Sequence, residues 1–496
     1  MTGAEALRVT EPHEVAPRRT GPRRRVAVLG GGITGLAAAH RVVERGAGEF
    51  DVVLLEASDR LGGVIATERT EGYLLEGGPD SFVTDKPQAA GLARRMGLGD
   101  SIMPTNDRFR RTLVVHDGRL VPLPEAFQLL APAKLGPFLR SPILSLRGKL
   151  AALRDLVAPR GGPPPGGDES LASFVRRRLG QEVLDRIAQP MVGGIYTADP
   201  EDLSLAATMP RFIELERKHR SLILGLMRGA RENGAGTSGA RFGLFVTLRE
   251  GLDSLVDALA RGLPAGSIRT GRRVTDVVRD RAAWRVTSES GENLSADALV
   301  IALPAPRAAA VLRRESAALA DELAAIPYAS SAIVTLAFRR SDVRHPLDAF
   351  GVVVPEIERR RIIACSFSSV KYDGRAPSDR VLMRVFVGGA MHPEDCEAGD
   401  DALLATVLGE VRELLGTTAA PVLTRVNRWP ESMPQYRVGH ARRVARIREL
   451  ERRIPSLALA GNAYDGVGLS DCVRSAESAV DGLLARDHDG YGEVVV

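Results

Sequence analysis

The sequence has 496 residues, of which 44% are hydrophobic and 26% are charged. This composition is close to that of ordinary soluble proteins, so it predicts a large folded core and excludes wholesale disorder. The net charge of +5 comes mainly from arginines that are spread along the chain among acidic residues, which argues against a nucleic-acid-binding protein. At this length we expect two to four folded units.

The cysteines, the apolar stretches and the N-terminal region indicate where in the cell the protein resides. Cys365, Cys396 and Cys472 form no CxxC pair and have no histidine at metal-ligand spacing, so neither a disulfide framework nor a metal site is expected. We expect a cytoplasmic protein. No stretch approaches 18 consecutive apolar residues, so no spanning helix is expected, and peripheral attachment to the inner face of the cell membrane stays open. Residues 1–24 are expected to be a disordered lead-in rather than a secretion signal.

A βαβ unit opens the folded part of the chain. The pattern predicts a strand at Val26–Leu29, a helix from Thr34 to about Arg45 and a second strand at Asp51–Glu56. The turn between the first strand and the helix reads Gly30-Gly31-Gly32-Ile33-Thr34-Gly35. Such glycines let the backbone approach a pyrophosphate at the helix N-terminus, and Glu56 is placed to accept a hydrogen bond from a ribose hydroxyl. The unit therefore predicts dinucleotide binding.

Two later loops and a C-terminal helix favour FAD over NAD. The loop with Arg60 and Gly62-Gly63 offers a second contact on the phosphate side. The loop Glu76-Gly77-Gly78-Pro79-Asp80-Ser81-Phe82 would allow close packing against a flat ring. Near the end of the chain a strand at Leu457–Ala460 runs into a Gly-rich turn and a helix from about Ser470 to Leu484. The positive end of that helix would stabilise negative charge on a reduced flavin.

The domain organisation follows from where these patterns recur. The predicted fold class is α/β, with a Rossmann-type FAD-binding domain assembled from residues 25–85, 240–305 and 440–486. An α+β substrate domain is predicted at 306–439 and a helical insert at 86–239, followed by a tail at 487–496. Within the insert, Arg119–Arg160 is expected to form short amphipathic helices, and Asn233–Gly239 a mobile polar loop.

Several segments together resemble the oxygen-dependent protoporphyrinogen oxidase and coproporphyrinogen III oxidase family, within the amine-oxidase-like flavoproteins. The resemblance runs from about Arg23 to Arg486. Besides the flavin motifs above, the segments that carry it are Gly194-Ile195-Tyr196-Thr197-Ala198-Asp199, Leu205-Ala206-Ala207-Thr208, Arg220-Ser221-Leu222-Ile223, Arg428-Trp429-Pro430, Pro434-Gln435-Tyr436 and Gly461–Asp471.

The resemblance implies an activity in haem biosynthesis. FAD would oxidise protoporphyrinogen IX to protoporphyrin IX, with dioxygen reoxidising the flavin and hydrogen peroxide as the by-product. Oxidation of coproporphyrinogen III to coproporphyrin III is the close alternative, because the two substrates differ only in peripheral carboxylates. The motifs and the resemblance together assign the FAD contacts to Gly30, Gly31, Gly32, Ile33, Thr34, Gly35, Glu56, Ala57, Arg60, Gly63, Val64, Gly78, Pro79, Asp80, Ser81, Val274, Trp429, Val467, Gly468 and Leu469.

Substrate binding and proton transfer have weaker signals. A porphyrinogen needs a wide apolar cavity with a few cations for its propionates. The cations nearest to the flavin loops in sequence are predicted carboxylate partners, weighed against ordinary solvated surface roles: Lys86, Arg108, Arg110 and Arg111. Asp80, where other family members carry Asn, is the candidate to accept a pyrrole N–H and remove its proton as hydride leaves. Orienting the loop is its alternative role.

Other classes of function stay open at this stage. An amine oxidase or carotenoid desaturase would keep the flavin motifs with a different insert, and a non-catalytic carrier would bind flavin or porphyrin without turnover. Hand-over of the product to a chelatase is conceivable, and the protein is either a monomer or a homodimer. The amphipathic stretch Phe127–Val157 either packs on the protein or lies on lipid.

Overall fold

A computed structural model describes residues 23–46, 48–125, 127–161, 167–232 and 245–489. The predicted lead-in lies outside the described residues except at its last two positions, and so does the predicted loop Asn233–Gly239. Of the predicted tail, residues 487–489 extend the last helix and the remainder lies outside the described part.

The strands are numbered in chain order. They are β1 Arg24–Leu29, β2 Phe50–Leu55, β3 Thr67–Thr70, β4 Tyr73–Glu76, β5 Phe82–Val83, β6 Ile102–Pro104, β7 Thr112–His116, β8 Arg119–Pro122, β9 Phe127–Gln128, β10 Ala131–Pro132 and β11 Phe245–Leu248. The later ones are β12 Ile268–Arg269, β13 Val274–Asp280, β14 Ala283–Ser288, β15 Asn293–Ala296, β16 Ala298–Ile301, β17 Tyr328–Arg339, β18 Gly351–Val353, β19 Ile362–Ser366, β20 Arg380–Gly388, β21 Leu423–Pro434 and β22 Leu457–Leu459.

The helices are numbered in the same way. They are α1 Ile33–Arg45, α2 Gln88–Arg95, α3 Leu135–Arg140, α4 Leu146–Leu153, α5 Leu171–Leu179, α6 Gln181–Val183, α7 Gln189–Tyr196, α8 Leu205–Thr208 and α9 Pro210–His219. The later ones are α10 Leu222–Glu232, α11 Asp253–Arg261, α12 Ala305–Leu312, α13 Ala317–Ala324, α14 Ser368–Lys371, α15 Asp400–Leu415, α16 His440–Arg452 and α17 Leu469–Asp489.

A five-stranded parallel sheet forms the predicted nucleotide-binding unit. Its order is β12-β2-β1-β16-β22, so strands from the beginning, middle and end of the chain lie side by side. Alternate residues of β1 face two different cores: Val26 and Val28 pack with α1, α11 and α17, while Ala27 and Leu29 pack with β14, α12 and α16. Burial on both faces explains why these strands are continuous apolar runs. The predicted α/β fold class and the discontinuous assembly are confirmed.

A seven-stranded sheet takes most of its strands from the second half of the chain. Its order is β21-β17-β20-β19-β18-β7-β8, and α15 covers one face. The last two strands come from residues 112–122, which the sequence prediction placed in a helical insert. That prediction is wrong there, because β7 and β8 form a hairpin whose turn, Asp117-Gly118, has positive φ at both residues. The predicted helices over Arg119–Arg160 are likewise wrong before Leu135, where the chain forms β8 to β10.

Helices α3 to α10 pack around a core of their own. Ser170 caps α5, with its hydroxyl accepting from the Ser173 N–H at 3.1 Å. The buried Asp155 accepts hydrogen bonds from Arg178 at 2.7 Å and from the Ser221 hydroxyl at 2.6 Å. In the described part of the chain, no helix is both long enough and apolar enough to cross a membrane. The division into domains stays a prediction.

Candidate active site

The glycine turn after β1 forms a cradle at the start of α1. Helix α1 begins after Gly32, and no side chain of the described residues caps it, so its first N–H groups face outward. Gly35 packs so closely on the turn that a Cβ there would lie 1.8 Å from the Gly30 carbonyl oxygen. The Gly31 carbonyl accepts from the Gly62 N–H at 2.8 Å, which places the second Gly pair against the first. Free N–H groups without intervening side chains fit a diphosphate.

Glu56 and Arg60 organise the edges of this cradle. The Glu56 carboxylate accepts from the Gly31 N–H at 2.5 Å and from the Ser58 N–H and hydroxyl at 2.8 Å each. Arg60 donates to the backbone carbonyls of Gly63 at 2.6 Å and of Ile65 at 3.0 Å. Its guanidinium therefore holds the second Gly turn in place.

The segment that leads to Val274 lies beside Glu56 as well. The Arg272 N–H donates to the Glu56 carbonyl at 2.7 Å, and the Gly271 N–H donates to the Ser58 carbonyl at 2.8 Å. Val274 itself is partly buried at the start of β13. The structure thus brings this predicted contact to the same end of the cradle as Glu56 and Ala57.

A second group forms around Gly78. A Cβ at this position would lie 1.7 Å from the Val64 carbonyl oxygen, so the loops carrying the two residues are in direct contact. The Trp429 indole N–H donates to the Gly77 carbonyl at 2.7 Å, although the two residues are 352 positions apart in the sequence. Val64, Gly78 and Trp429, three predicted flavin contacts, are therefore neighbours in space.

Asp80 pairs with two cations that sequence analysis missed. Lys371 donates to both carboxylate oxygens at 3.1 Å, and Arg384 lies 3.2 Å from the second oxygen. Arg384 also donates to the Gly78 carbonyl, and the Ser81 hydroxyl donates to Asp80 at 2.7 Å. Burial alone would raise the pKa of Asp80, but the two cations outweigh it and hold that pKa well below its usual range. The carboxylate is therefore a poor proton acceptor.

Few sequence signals mark these two cations. Arg384 is only 3% exposed and stands in the otherwise apolar run Val381–Val387, where an isolated charge needs a partner. That lone charge in a buried strand is a usable signal. Lys371 lies at the end of a four-residue helix in an ordinary polar segment, and nothing around it in sequence indicates Asp80.

Glu76, just before this loop, is buried against the start of α11. It accepts from the Thr67 hydroxyl at 2.7 Å and from the Leu252 N–H at 2.9 Å. Burial raises the pKa of Glu76 to about 7, against the opposing effect of both hydrogen bonds. Glu76 is thus a titratable side chain directly before the Gly77-Gly78 turn.

The C-terminal loop leads into α17 as predicted. Helix α17 starts at Leu469, directly after Val467 and Gly468, and Asp471 lies in its first turn. Asp471 is buried and accepts from Lys86 at 2.8 Å and from Arg474 at 2.9 Å. Lys86, predicted as a partner for a substrate carboxylate, is therefore paired with an acid of the protein.

The three predicted arginines lie on the loop before β7. This loop is joined to α14 because the Asn106 N–H donates to the Lys371 carbonyl at 2.9 Å. Arg110 pairs with Asp107 and Arg111 with Asp348, and Arg108 lies over the Phe109 ring at 5.0 Å. The loop that carries the arginines therefore contacts the Lys371 segment, and the role of the arginines toward a substrate stays a prediction.

Two groups of side chains in the described residues could reach one cation. They are His116, Asp117 and Glu358, and His392, Glu394 and Asp395. An arginine lies beside each group: Arg186 is 2.6 Å from His116 Nδ1, and Arg361 pairs with Asp395. We assign no metal to either, and the sequence expectation of no metal site stays a prediction.

Three comparisons with known proteins bear on this site. The model of the family described as flavin-containing amine oxidoreductases matches residues 33–484. The chain is 38% identical to the coproporphyrinogen III oxidase of Propionibacterium freudenreichii subsp. freudenreichii, over 93% of the chain and 91% of that protein. It is 30% identical to the chloroplastic protoporphyrinogen oxidase of Nicotiana tabacum, over 92% and 86%. A crystal structure of a provisionally assigned protoporphyrinogen oxidase from Exiguobacterium sp. 255-15 superposes with a TM-score of 0.84 at 32% identity, covering 93% and 99%.

Proposed function

Because the chain belongs to the family of flavin-containing amine oxidoreductases, we propose that it uses its FAD to oxidise a porphyrinogen in haem biosynthesis. The observation that carries the proposal is similarity over more than nine-tenths of the chain to proteins named as porphyrinogen oxidases. The predicted family and the predicted FAD cofactor are confirmed. Protoporphyrinogen IX is the expected substrate. Coproporphyrinogen III is the second candidate, favoured by the 38% identity to an oxidase of that name.

The chain's own residues supply binding and alignment in this proposal. The uncapped start of α1 and the glycine cradle would hold the diphosphate, and Glu56 would hold the adjoining ribose. The flavin ring would lie between the Gly78 turn with Trp429 and the loop before α17. When bound, FAD accepts a hydride from the substrate and passes its electrons to dioxygen.

Asp80 has an orienting role in this mechanism. Its low pKa and its pairs with Lys371 and Arg384 make proton removal by this carboxylate unfavourable. The same pairs fix the loop that carries Gly78, so the carboxylate contributes by keeping that backbone in place. Hydride transfer mainly requires that the substrate and the flavin ring are aligned.

The test is a direct assay with each candidate substrate. Purified, FAD-loaded protein is mixed in air with protoporphyrinogen IX or with coproporphyrinogen III, and porphyrin fluorescence and peroxide are followed together. Porphyrin formation with peroxide well above the rate of spontaneous oxidation is the expected result, and the ratio of kcat/KM values identifies the preferred substrate. Tight binding of porphyrin without peroxide would support the carrier alternative and contradict the proposal. Turnover of an amine in place of both porphyrinogens would indicate an amine oxidase.

Peripheral contact with a membrane is part of the proposal. Parts of the stretch Phe127–Val157 are buried, but Leu146, Leu150 and Val157 are 78%, 65% and 74% exposed. Arg147 and Arg154 are exposed beside them, so an apolar patch with cations fits an anionic lipid surface. In sedimentation with vesicles containing anionic lipid, we expect the wild type to bind and Leu146→Ser/Leu150→Ser to bind less. Equal partition of both proteins into the supernatant would contradict the contact.

A further inference from the structure

The Pro434-Gln435-Tyr436 segment contacts the C-terminal loop through one hydroxyl. Tyr436 is only 1% exposed, and its Oη donates to the Asn462 carbonyl at 2.5 Å. The same Oη accepts from the Gly466 N–H at 2.9 Å. Asn462 and Gly466 both lie in the loop between β22 and α17. One buried hydroxyl therefore closes that loop.

A second ring holds the tyrosine in place. The His440 ring stacks on the Tyr436 ring with centroids 4.0 Å apart and an interplanar angle of 12°. His440 Nε2 lies 3.1 Å from the Tyr464 carbonyl, which can only accept, so Nε2 carries the proton. The stacked pair thus contacts the loop at Asn462, Tyr464 and Gly466.

The same segment is bonded to the helical part of the chain. The Gln435 side chain donates to the Tyr196 carbonyl at 3.2 Å, and the Tyr436 carbonyl accepts from the Ser204 N–H at 2.7 Å. Tyr196 belongs to the Gly194–Asp199 segment that carries the family resemblance. The tripeptide therefore joins this segment to the C-terminal loop.

We propose that Tyr436 is a positioning residue for the flavin ring, acting through the backbone of the loop that it closes. The inference rests on the proposed function in one respect, the placement of the ring against Val467, Gly468 and Leu469. Backbone N–H groups and a helix N-terminus stabilise negative charge only if they are held at the right place. If Tyr436 holds them, loss of its hydroxyl lowers the oxidising power of the cofactor without removing any group that touches it.

The chain offers a matched control in Tyr464. This residue lies in the same loop and is equally buried, but its hydroxyl has no hydrogen-bond partner among the described residues. Tyr436→Phe and Tyr464→Phe therefore remove the same atom from two buried rings, and only the first removal breaks bonds to the loop. His440→Phe keeps a stacked ring and removes the bond to Tyr464.

The experiment compares the flavin reduction potential in the three FAD-loaded variants and the wild type, titrated with a chemical reductant and a reference dye. We expect a more negative potential in Tyr436→Phe, a smaller shift in His440→Phe and the wild-type value in Tyr464→Phe. Reduction of the flavin by porphyrinogen in Tyr436→Phe should slow by about tenfold with KM within about twofold of the wild type.

Two results would overturn the inference. One is a wild-type potential in Tyr436→Phe, and the other is an equal shift in Tyr464→Phe, which would show that any change in this loop has the same effect. Failure of the proposed function can be told apart from failure of this inference, because measuring the reduction potential requires only bound flavin and the chemical reductant. A wild type that binds FAD but oxidises no porphyrinogen would remove the proposed function and leave the comparison of potentials intact.

Discussion

The glycine cradle and the Asp80 cluster both belong to the candidate active site, but they are built in opposite ways. Cradle contacts join residues close in the chain, such as the Gly31 N–H and Glu56, 25 positions apart. The cluster joins Asp80 to Lys371 across 291 positions. The cradle depends on backbone groups and the absence of side chains, whereas the cluster depends on charge balance in a buried place. Substitutions in the cradle should therefore mainly weaken FAD binding, whereas substitutions in the cluster should mainly lower stability.

The largest effect is expected in the cradle. Gly35→Ala would place a Cβ 1.8 Å from the Gly30 carbonyl oxygen, so the turn and the helix start have to separate. We expect FAD affinity to fall at least about 100-fold, measured by fluorescence titration of the apoprotein. Gly409→Ala, on the exposed face of α15 where a Cβ meets nothing within 4 Å, should leave FAD affinity unchanged. Equal affinity in both variants would contradict the close contact.

In the cluster the expected loss is stability. Arg384→Met removes a buried cation from Asp80 and from the Gly78 carbonyl, which should lower the free energy of unfolding by about 3–5 kcal/mol in urea titrations. Arg425→Met breaks an exposed pair with Glu68 and should cost less than about 1 kcal/mol. Adding Asp80→Asn to Arg384→Met should cost less than the sum of the two single changes. Strict additivity would indicate that the pair is not coupled.

Glu76, directly before the Gly77-Gly78 turn, should make stability depend on pH. Its pKa is about 7 in the folded protein against 4.5 for an unperturbed side chain, so the folded state binds more protons between these values. The contribution of Glu76 to the free energy of unfolding is therefore largest below pH 4.5 and declines as the pH rises to about 7. Glu76→Gln should remove this decline and raise the unfolding free energy above pH 7 by on the order of 2–3 kcal/mol. An identical gain in Glu68→Gln, an exposed residue of β3, would contradict the assignment.

The smallest effect is expected at the predicted substrate cations. Arg110→Ala/Arg111→Ala should raise KM about threefold and leave kcat unchanged, because each guanidinium already pairs with an aspartate. Arg313→Ala/Arg314→Ala is the matched control, since these adjacent exposed arginines also pair with aspartates. Steady-state kinetics of the wild type and the two double variants measure the difference. Unchanged kinetics in the first double variant would remove both residues from the substrate site.

Features with a local physical cause could be predicted from the sequence. The Gly30–Gly35 turn, the first helix and the strand before α17 follow from close backbone approach and apolar periodicity, and the structure places them within a few residues of the prediction. The β7–β8 hairpin also had a local signal, since Asp117-Gly118 favours a tight turn, but the prediction of helices overrode it.

Features that depend on distant partners could not be predicted. Lys371 is polar within a polar segment, and only the fold shows that it faces Asp80. Lys86 looked like a free cation near the flavin loops, yet it pairs with Asp471 from the last helix, 385 positions away. The sequence contains the charges, but their pairing is decided by tertiary packing.

Oxidation of a porphyrinogen by the bound flavin is tested most directly by mixing the FAD-loaded protein with porphyrinogen in the absence of oxygen and following the visible absorption of the flavin. We expect rapid bleaching with formation of porphyrin, followed by full recovery of the flavin spectrum and release of peroxide when air is admitted. A flavin spectrum that stays unchanged with either porphyrinogen, while a chemical reductant still bleaches it, would contradict the proposed function.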